Sequence, residues 1–154
     1  MKVLVFSDSH GDVAHMVAAV EREQPDAIFH LGDGWEDAAW LQGKYPHIPL
    51  TQVPGNCDFR PGALAERLLT MEGRRIQLCH GHTYGVKRSL LSAAYTAEER
   101  DLDLFLFGHT HCPLTERRGK TLFLNPGSIG DRYRPTYAVV TVTAETLDGQ
   151  IVAL

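Results

Sequence analysis

Short apolar runs that each end in a glycine-flanked group of polar residues are the feature that most limits how this chain can fold. Residues 3–6, 27–31 and 104–107 are nearly continuous apolar runs, which is typical of strands covered on both faces. Between the first two runs, residues 12–23 place valines and a methionine at helical spacing behind an aspartate that can cap a helix. The chain therefore opens with strand, helix and strand, an α/β pattern.

The second half of the sequence favours hairpins over helices. We predict one hairpin at residues 66–71 with 74–79 and a second at 114–117 with 121–124. One helix is expected somewhere within residues 86–100, and two closing strands are expected at 137–142 and 150–153. The connecting segments 35–46 and 84–88 are expected to be loops that contribute to substrate specificity. This distribution favours a mixed sheet system with helices outside over a purely alternating parallel fold.

Length, charge and cysteine content limit the class of protein. A chain of 154 residues can bury one core, so we predict a single domain over residues 1–154. Its 15 Lys plus Arg against 19 Asp plus Glu predict no broad nucleic-acid surface and no membrane surface. An anionic substrate must then be attracted locally. The absence of an export signal and three widely spaced cysteines predict a cytoplasmic location.

Polar residues beside glycines follow the predicted strands at five places. These groups are Ser7-Asp8-Ser9-His10-Gly11, Gly32-Asp33-Gly34, Gly55-Asn56-Cys57-Asp58, His80-Gly81-His82 and Gly108-His109-Thr110-His111. In open α/β sheets, ligands bind just beyond the carboxyl ends of the strands. We therefore expect the five groups to converge on one site.

The donor atoms in these groups indicate metal. Asp8 and His10 are two residues apart, as are His109 and His111, and in an extended segment side chains at that spacing point the same way. Imidazole with carboxylate suits Mn, Fe, Co, Ni or Zn, whereas four histidines are unusual around Mg or Ca.

Seven donors are too many for one tetrahedral ion, once Asp33, Asn56 and His80 are added to these two pairs. Two ions that share a carboxylate would use them all. A single histidine after a strand is more often a hydrogen-bonded or surface residue than a ligand. The repetition of the pattern at five strand ends is what favours a metal site.

The order Asp-x-His, Gly-Asp, Gly-Asn, a Gly-His-type motif and Gly-His-x-His, spread over nearly the whole chain, resembles the calcineurin-like metallophosphoesterases. The short length, Gly55-Asn56-Cys57-Asp58 and the late Asn-Pro-Gly-Ser at 125–128 are similar to the small YfcE-type phosphodiesterase branch. The resemblance implies a four-layer α/β/β/α sandwich. In it, two mixed β-sheets are flanked by helices, and the metal site lies at the carboxyl ends of the strands.

The resemblance also implies a ligand set for two divalent metal ions. The first ion would take Asp8, His10, Asp33 and His111, and the second would take Asp33, Asn56, His80 and His109. Asp33 would be the bridge, and His82 competes with His80 for its role. Manganese is favoured, with Ni, Co, Fe or Zn as further possibilities, and relatives of this kind often form homo-oligomers.

The implied reaction is hydrolysis of a small phosphate ester, most often a diester, by a hydroxide held between the two ions. Two dications, two ligand carboxylates and one hydroxide sum to a net charge of about +1, which would attract a phosphate anion to an acidic chain. Asp33 and Asn56 would then serve catalysis as ligands.

Cys57 departs from the pattern of many larger members, which carry histidine after the asparagine to assist the leaving oxygen. A neutral thiol is a weak hydrogen-bond donor. We therefore predict slow expulsion of poor leaving groups and a preference for phosphodiesters over monoesters. Asp58 and His82 are the candidates for a replacement acid, although Asp58 is more typical of a residue that stabilises a turn.

Two alternatives stay open at this stage. One is a phosphomonoesterase, and the other is a non-catalytic, metal-binding interaction scaffold similar to the retromer subunit of the same fold. All seven positions carry competent donors, which favours an enzyme. The sequence has no Gly-x-Ser-x-Gly elbow, no P-loop and no Gly-x-Gly-x-x-Gly after the first strand, so other common catalytic classes lack their signals.

Overall fold

Two five-stranded β-sheets pack face to face in the computed structural model, which describes residues 1–154. The strands are β1 (Lys2–Phe6), β2 (Ala27–His30), β3 (Leu50–Gln52), β4 (Glu66–Met71), β5 (Arg74–Cys79), β6 (Leu104–Leu106), β7 (Leu114–Arg118), β8 (Thr121–Asn125), β9 (Thr136–Val142) and β10 (Leu147–Ala153). The helices are α1 (Val13–Glu23), α2 (Trp35–Lys44) and α3 (Leu91–Glu99), with a 3-10 turn at His82–Tyr84.

Both sheets are mixed. The first has the order β10-β9-β1-β2-β3, with β1, β2 and β3 parallel and β9 antiparallel to both β1 and β10. The second has the order β4-β5-β6-β8-β7, with β5, β6 and β8 parallel and an antiparallel strand at each edge. The parallel strands therefore send their carboxyl ends to the same edge of each sheet.

The apolar runs are continuous because both faces of the central strands are covered. Val3 and Val5 lie in the core between the two sheets, whereas Leu4 and Phe6 pack under α1 and α2. On the other side, Phe105 packs beneath α3. The expected four-layer α/β/β/α sandwich is confirmed, with α1 and α2 outside the first sheet and α3 outside the second.

Most predicted elements are present, including both hairpins and the capped first helix, in which Asp12 Oδ1 accepts from His15 N at 3.2 Å. The expectation of a loop at residues 35–46 is wrong, because α2 fills most of that segment. Gly34, the residue that precedes this helix, makes no side-chain cap. Residues 84–88 were also expected to be loop, and the structure places Tyr84 at the end of the 3-10 turn.

None of the three helices combines the length and the apolar character that crossing a lipid bilayer requires.

Candidate metal centre

The polar groups at the strand ends meet where the carboxyl ends of the two sheets face each other. The loops are hydrogen-bonded to one another: Asp8 N donates to Gly32 O at 2.9 Å, and Gly108 N donates to His80 O at 2.9 Å. The two sheets are joined at this point, because His80 Nδ1 contacts Leu31 O at 2.7 Å. The predicted convergence on one place is present in the structure.

Five of the predicted ligands have a left-handed backbone, with φ of 54° at Asp8, 44° at His10, 56° at Asp33, 71° at His109 and 61° at His111. The expectation that the Asp-x-His and His-x-His pairs lie in extended segments is therefore wrong. Non-glycine residues seldom adopt this conformation, which costs about 1–3 kcal/mol at each position, and such strain is concentrated at functional sites. These side chains are therefore brought together by tight turns, not by an extended strand.

One group of donors surrounds the carboxylate of Asp8. Its Oδ1 lies 3.0 Å from His111 Nε2 and 3.7 Å from His10 Nε2, and the two imidazole rings are 5.4 Å apart. One donor atom from each of the three residues lies within 4.8 Å of the others. This group matches three of the four ligands expected for the first ion.

A second group surrounds Asp33. Its Oδ2 lies 3.4 Å from His80 Nε2 and 3.8 Å from His10 Nε2. Asp8 also belongs to this group, since donor atoms of Asp8, Asp33 and His80 all lie within 4.8 Å of one another. Both carboxylates thus lie between the two sets of histidines, and Asp8 is placed for bridging as well as Asp33.

The two remaining predicted ligands lie beside the second group. His109 Nδ1 is 3.2 Å from His80 Nε2, and His109 N donates to Asp8 Oδ2 at 3.1 Å. Asn56 is exposed, and its side-chain Nδ2 contacts Cys57 Sγ at 3.7 Å. Its loop is held close to the centre because Cys57 N donates to Asp33 Oδ1 at 2.9 Å.

His80 and His82 differ in their surroundings. His80 is fully buried, and its Nδ1 contact with Leu31 O leaves Nε2 directed at the two carboxylates. A backbone partner of this kind fixes the orientation of metal-binding histidines. His82 begins the 3-10 turn and is exposed, with its ring 5.5 Å from that of His80. The geometry favours His80 as the ligand and leaves His82 facing the solvent.

The residues present fit divalent metal, because two buried carboxylates lack any other cation. Asp8 is fully buried and Asp33 is 4 % exposed, and histidines are the only basic side chains within 4.0 Å of either. Ser7 Oγ and the backbone amides of Cys57 and His109 also donate to these carboxylates, but they carry no charge. Burial favours the neutral form of Asp33, but hydrogen bonds from His80 and the Cys57 amide outweigh it and hold the pKa of this carboxyl well below its usual range. Buried carboxylates require compensation, and a metal ion supplies it.

Two glycines lie against these carboxylates, where a side chain would collide with them. A Cβ on Gly55 would lie 2.5 Å from Asp33 N and closer still to Asp33 Oδ1. A Cβ on Gly108 would lie 2.8 Å from Asp8 Oδ2. The glycines of the motifs therefore serve close approach of the loops to the ligands.

A hydrogen-bond chain supports the ligands from behind, and its Asp37 was not predicted from the sequence. His30 Nε2 lies 3.0 Å from Ser9 Oγ, Ser9 Oγ donates to Asp37 Oδ2 at 2.7 Å, and Asp37 Oδ2 also accepts from Gly11 N at 2.8 Å. Burial lowers the pKa of His30 to about 4, which keeps its ring neutral. These hydrogen bonds fix the turn that carries Asp8 and His10. Their sequence signal was an aspartate in the first turn of the unpredicted helix α2.

Asp58, from a different loop, caps the N-terminus of α2 in place of a side chain from Gly34. Its carboxylate accepts hydrogen bonds from Asp33 N at 2.8 Å, Trp35 N at 3.1 Å and Gly55 N at 2.9 Å, with a further bond from Gly34 N at 3.2 Å. Carboxylates near a helix N-terminus stabilise it. Asp58 therefore joins the loops that carry Asp33 and Asn56, which accords with the turn-stabilising alternative for this residue.

Replacing Asp58 with alanine should lower the free energy of unfolding by about 2–3 kcal/mol, since it removes a charged acceptor shared by four backbone amides. Chemical denaturation of the metal-free protein measures this loss, and Asp148→Ala on the exposed side of β10 is the control. An unchanged stability with a lower kcat confined to poor leaving groups would instead identify Asp58 as an acid.

Comparison with known proteins gives a family match and close relatives. The family model described as the calcineurin-like phosphoesterase superfamily domain matches residues 1–145. A probable metallophosphoesterase, YsnB of Bacillus subtilis, is 40 % identical over 149 residues, covering 92 % of this chain and 85 % of its own. Phosphodiesterase YfcE of Escherichia coli is 33 % identical over 85 residues, covering 50 % of this chain and 42 % of its own.

Solved structures share the fold. A predicted phosphoesterase from Streptococcus pneumoniae aligns with a TM-score of 0.81 and 30 % identity, covering 99 % of this chain and 88 % of its own. Vps29 of Entamoeba histolytica, solved in complex with Zn²⁺, aligns with a TM-score of 0.80 and 20 % identity, covering 99 % of both chains. At that identity the second likeness is evidence of the fold alone.

Proposed function

We propose that this chain, which belongs to the calcineurin-like phosphoesterase superfamily, is a phosphodiesterase that works with two divalent ions. One observation carries the proposal: two buried carboxylates, Asp8 and Asp33, are surrounded by histidines and by no other cation. The similarity to phosphodiesterase YfcE supports the choice of diesters.

The ligands divide between two positions in this proposal. Asp8, His10 and His111 would hold one ion, His80, His109 and Asn56 would hold the other, and Asp33 would serve both. Manganese is the favoured metal because the donor set mixes imidazole and carboxylate, and Ni, Co, Fe and Zn suit it as well. When bound, two such ions supply a water of lowered pKa and neutralise charge on the phosphate.

The remaining residues orient the metal ligands and limit which leaving groups the ester can expel. His80 is fixed by Leu31 O, and Asp33 Oδ1 accepts from Cys57 N, so neither side chain must rearrange to bind. Desolvation and the neighbouring Asp33 carboxylate raise the pKa of the Cys57 thiol, which makes it a poor source of protons. His82 is the exposed imidazole beside the centre and is the proton donor we propose for the leaving oxygen. Partial desolvation and the neighbouring His80 lower the pKa of His82, so its ring is mostly neutral at pH 7 and it is a weak acid.

We expect kcat/KM for bis(p-nitrophenyl) phosphate, with manganese, to exceed that for a simple alkyl phosphate monoester by roughly a hundredfold or more, because no strong acid assists a poor leaving group. Cys57→His should raise the rate for poor leaving groups by about tenfold to a hundredfold while changing the aryl diester little. A panel of diesters and monoesters, with Mn, Ni, Co, Zn and Mg added singly, measures both effects.

The control variant is Cys57→Ser, which keeps a small side chain without adding an imidazole. It should leave the ratio of aryl to alkyl rates within about threefold of the original. Faster turnover of alkyl monoesters than of aryl diesters by the unmodified chain would instead support the phosphomonoesterase alternative.

The scaffold alternative rests on likeness of fold to Vps29. A binding scaffold has no need for a buried, mutually oriented donor set, whereas this chain retains one. The ester panel distinguishes the two, since a scaffold binding the same ions would show no turnover of any ester in it.

Three further expectations belong to the proposal. Residues 1–154 act as one domain, supported by the core that joins both sheets. The location is cytoplasmic, supported by the free thiols Cys57, Cys79 and Cys112. The third expectation is a homo-oligomer, which relatives of this kind often form.

A further inference from the structure

A turn at residues 131–134 carries two arginines that the proposed metal centre does not use. Arg132, Tyr133 and Arg134 are all exposed, and the Arg132 guanidinium lies 5.9 Å from the centroid of the Tyr133 ring. Neither arginine has a carboxylate within 4.0 Å, whereas five other arginines of the chain pair with one. Both cations of this turn are therefore free to bind an anion.

The segment that leads into this turn is bound directly to the loop that carries Asp8. Ser128 Oγ donates to Asp8 O at 2.7 Å, and Gly130 N donates to the same oxygen at 3.2 Å. A Cβ on Gly130 would lie 2.8 Å from Asp8 O and closer still to Ser9 O, so the two loops are in close contact. Arg132 is two residues beyond Gly130, a separation of at most about 7 Å between their Cα atoms. The turn therefore begins beside a ligand of the proposed centre.

Asp131 holds the turn in a folded shape. Its Oδ1 accepts from Tyr133 N and Arg134 N, both at 2.8 Å. The amides of Arg134 and Tyr133 lower the pKa of Asp131, and the charge of His111 contributes in the same direction. His111 belongs to the proposed first ion, so the turn lies within the electrostatic reach of that side of the centre.

The charge of the turn is suited to an anion other than the scissile phosphate. The proposed ions would hold the scissile phosphate and neutralise the ligand carboxylates. The turn adds two guanidiniums against one carboxylate, and that carboxylate is already engaged by backbone amides. A guanidinium offers a planar fork of N–H donors that matches a phosphate group. A chain with a formal net charge of −4 thus presents local positive charge next to its centre.

The leaving group and this turn lie beside different ligands. His82, the proposed proton donor for the leaving oxygen, has its ring 5.5 Å from that of His80 and 6.1 Å from that of His109. The segment before the turn contacts Asp8 instead, which is grouped with His111. The ester group that stays on phosphorus is therefore the one that the turn would receive.

We infer that Arg132 and Arg134 bind a second phosphate group of the substrate, carried on the ester group that is not expelled. Their guanidiniums donate hydrogen bonds to its oxygens. This inference rests on the proposed phosphodiesterase activity and adds a substrate class to it, namely diesters that bear an additional phosphate.

Two diesters with the same leaving group test the inference. The p-nitrophenyl phosphodiesters of 4-hydroxybutylphosphonic acid and of pentanol differ only in a terminal phosphonate, a stable analogue of the second phosphate, in place of a methyl group. We expect the original chain, with manganese, to favour the phosphonate ester in kcat/KM by about tenfold or more, since charge-assisted hydrogen bonds have effects of that size. Arg132→Gln combined with Arg134→Gln should remove most of this preference and change the pentyl ester by less than about threefold.

The matched control is Lys87→Gln, which removes an exposed cation on the His109 side of the centre. After desolvation and His80, the charge of Lys87 contributes to lowering the pKa of His109, so it acts on the centre through the general potential. This variant should keep the full preference. An equal loss in Lys87→Gln would assign the preference to that potential and overturn the inference.

Three other kinetic results would also overturn it. They are equal kcat/KM for the two esters in the original chain, a preference that survives the double arginine variant, and an equal slowing of both esters by that variant. The last result would assign the arginines to the scissile phosphate.

A binding measurement separates this inference from the proposed activity. Calorimetric titration of the manganese-loaded chain with butane-1,4-bisphosphonic acid and with pentylphosphonic acid requires no turnover. The bisphosphonate should bind about tenfold more tightly, and most of this difference should vanish in the double arginine variant. If no diester is hydrolysed but this difference appears and depends on the arginines, the turn binds the second phosphate and the phosphodiesterase proposal fails. No difference in the original chain overturns the inference even where diesters are hydrolysed.

Discussion

Asp33→Asn should lower kcat/KM for bis(p-nitrophenyl) phosphate by roughly a thousandfold or more, equivalent to about 4 kcal/mol of transition-state stabilisation. The side chain keeps its shape but loses the charge that lies 3.4 Å from His80 Nε2 and 3.8 Å from His10 Nε2. Its Oδ1 also accepts from Cys57 N, so an amide nitrogen turned to that side would face another donor. Steady-state kinetics with saturating manganese measures the loss.

Metal content separates loss of the ligand from loss of the fold. The Asp33→Asn protein should retain less than two bound ions per chain after gel filtration, with an unchanged circular dichroism spectrum. Asp148→Asn, an exposed carboxylate on β10, is the matched control and should retain full activity. Full turnover by Asp33→Asn, or turnover by the original chain after exhaustive chelation, would contradict the proposed two-ion mechanism.

The layered arrangement could be predicted from the local hydrophobic pattern because each central strand is buried on both faces. Val3 and Val5 face the other sheet while Leu4 and Phe6 face helices, which is why no polar residue interrupts the run. The assignment to two sheets came from the family resemblance. Periodicity alone carries no information on which strands pair, since β1 lies between β2 and the distant β9.

Helix α2 could not be read from its own residues. Its cap is the carboxylate of Asp58, 24 residues beyond Gly34, so the local signal for a helix start is absent. Only Ala38 and Leu41 of this helix are fully buried, which gives too short an apolar stripe for a periodicity argument. A cap supplied by another loop is a tertiary contact, and it becomes visible only in the folded chain.

The donors of the metal centre were predictable from composition at the strand ends, but their arrangement was not. Extended geometry was the wrong basis for pairing Asp8 with His10, since both lie in the left-handed region. Such strain arises because the neighbouring loops hold the turn, through Asp8 N to Gly32 O and His10 N to Asp33 O. The hydrogen bonds that fix it join residues more than 20 positions apart.

Substitution of Gly55, the glycine beside Asn56, should cause the second large effect, which is a loss of stability. Gly55→Ala should lower the free energy of unfolding of the metal-free protein by about 3 kcal/mol, because the added Cβ would meet the backbone nitrogen of Asp33 at 2.5 Å and its carboxylate closer still. Backbone cannot rotate aside as a flexible side chain can. Urea denaturation in the presence of chelator measures the loss without any contribution from bound metal.

Gly43→Ala is the matched control, since it adds the same methyl group inside α2, where no atom beyond its chain neighbours and the helix's own backbone lies within 4 Å. That variant should gain about 0.5–1 kcal/mol of stability, because alanine is the better helix former. The opposite signs of the two stability changes distinguish a glycine that close packing requires from one that is merely tolerated in a helix. The displaced Asp33 carboxylate should also cost Gly55→Ala about a hundredfold or more in diester turnover with manganese. Equal stability and activity in the two variants would mean that the loops carrying Asp33 and Asn56 can separate without cost, which would remove the structural basis for a preformed metal centre.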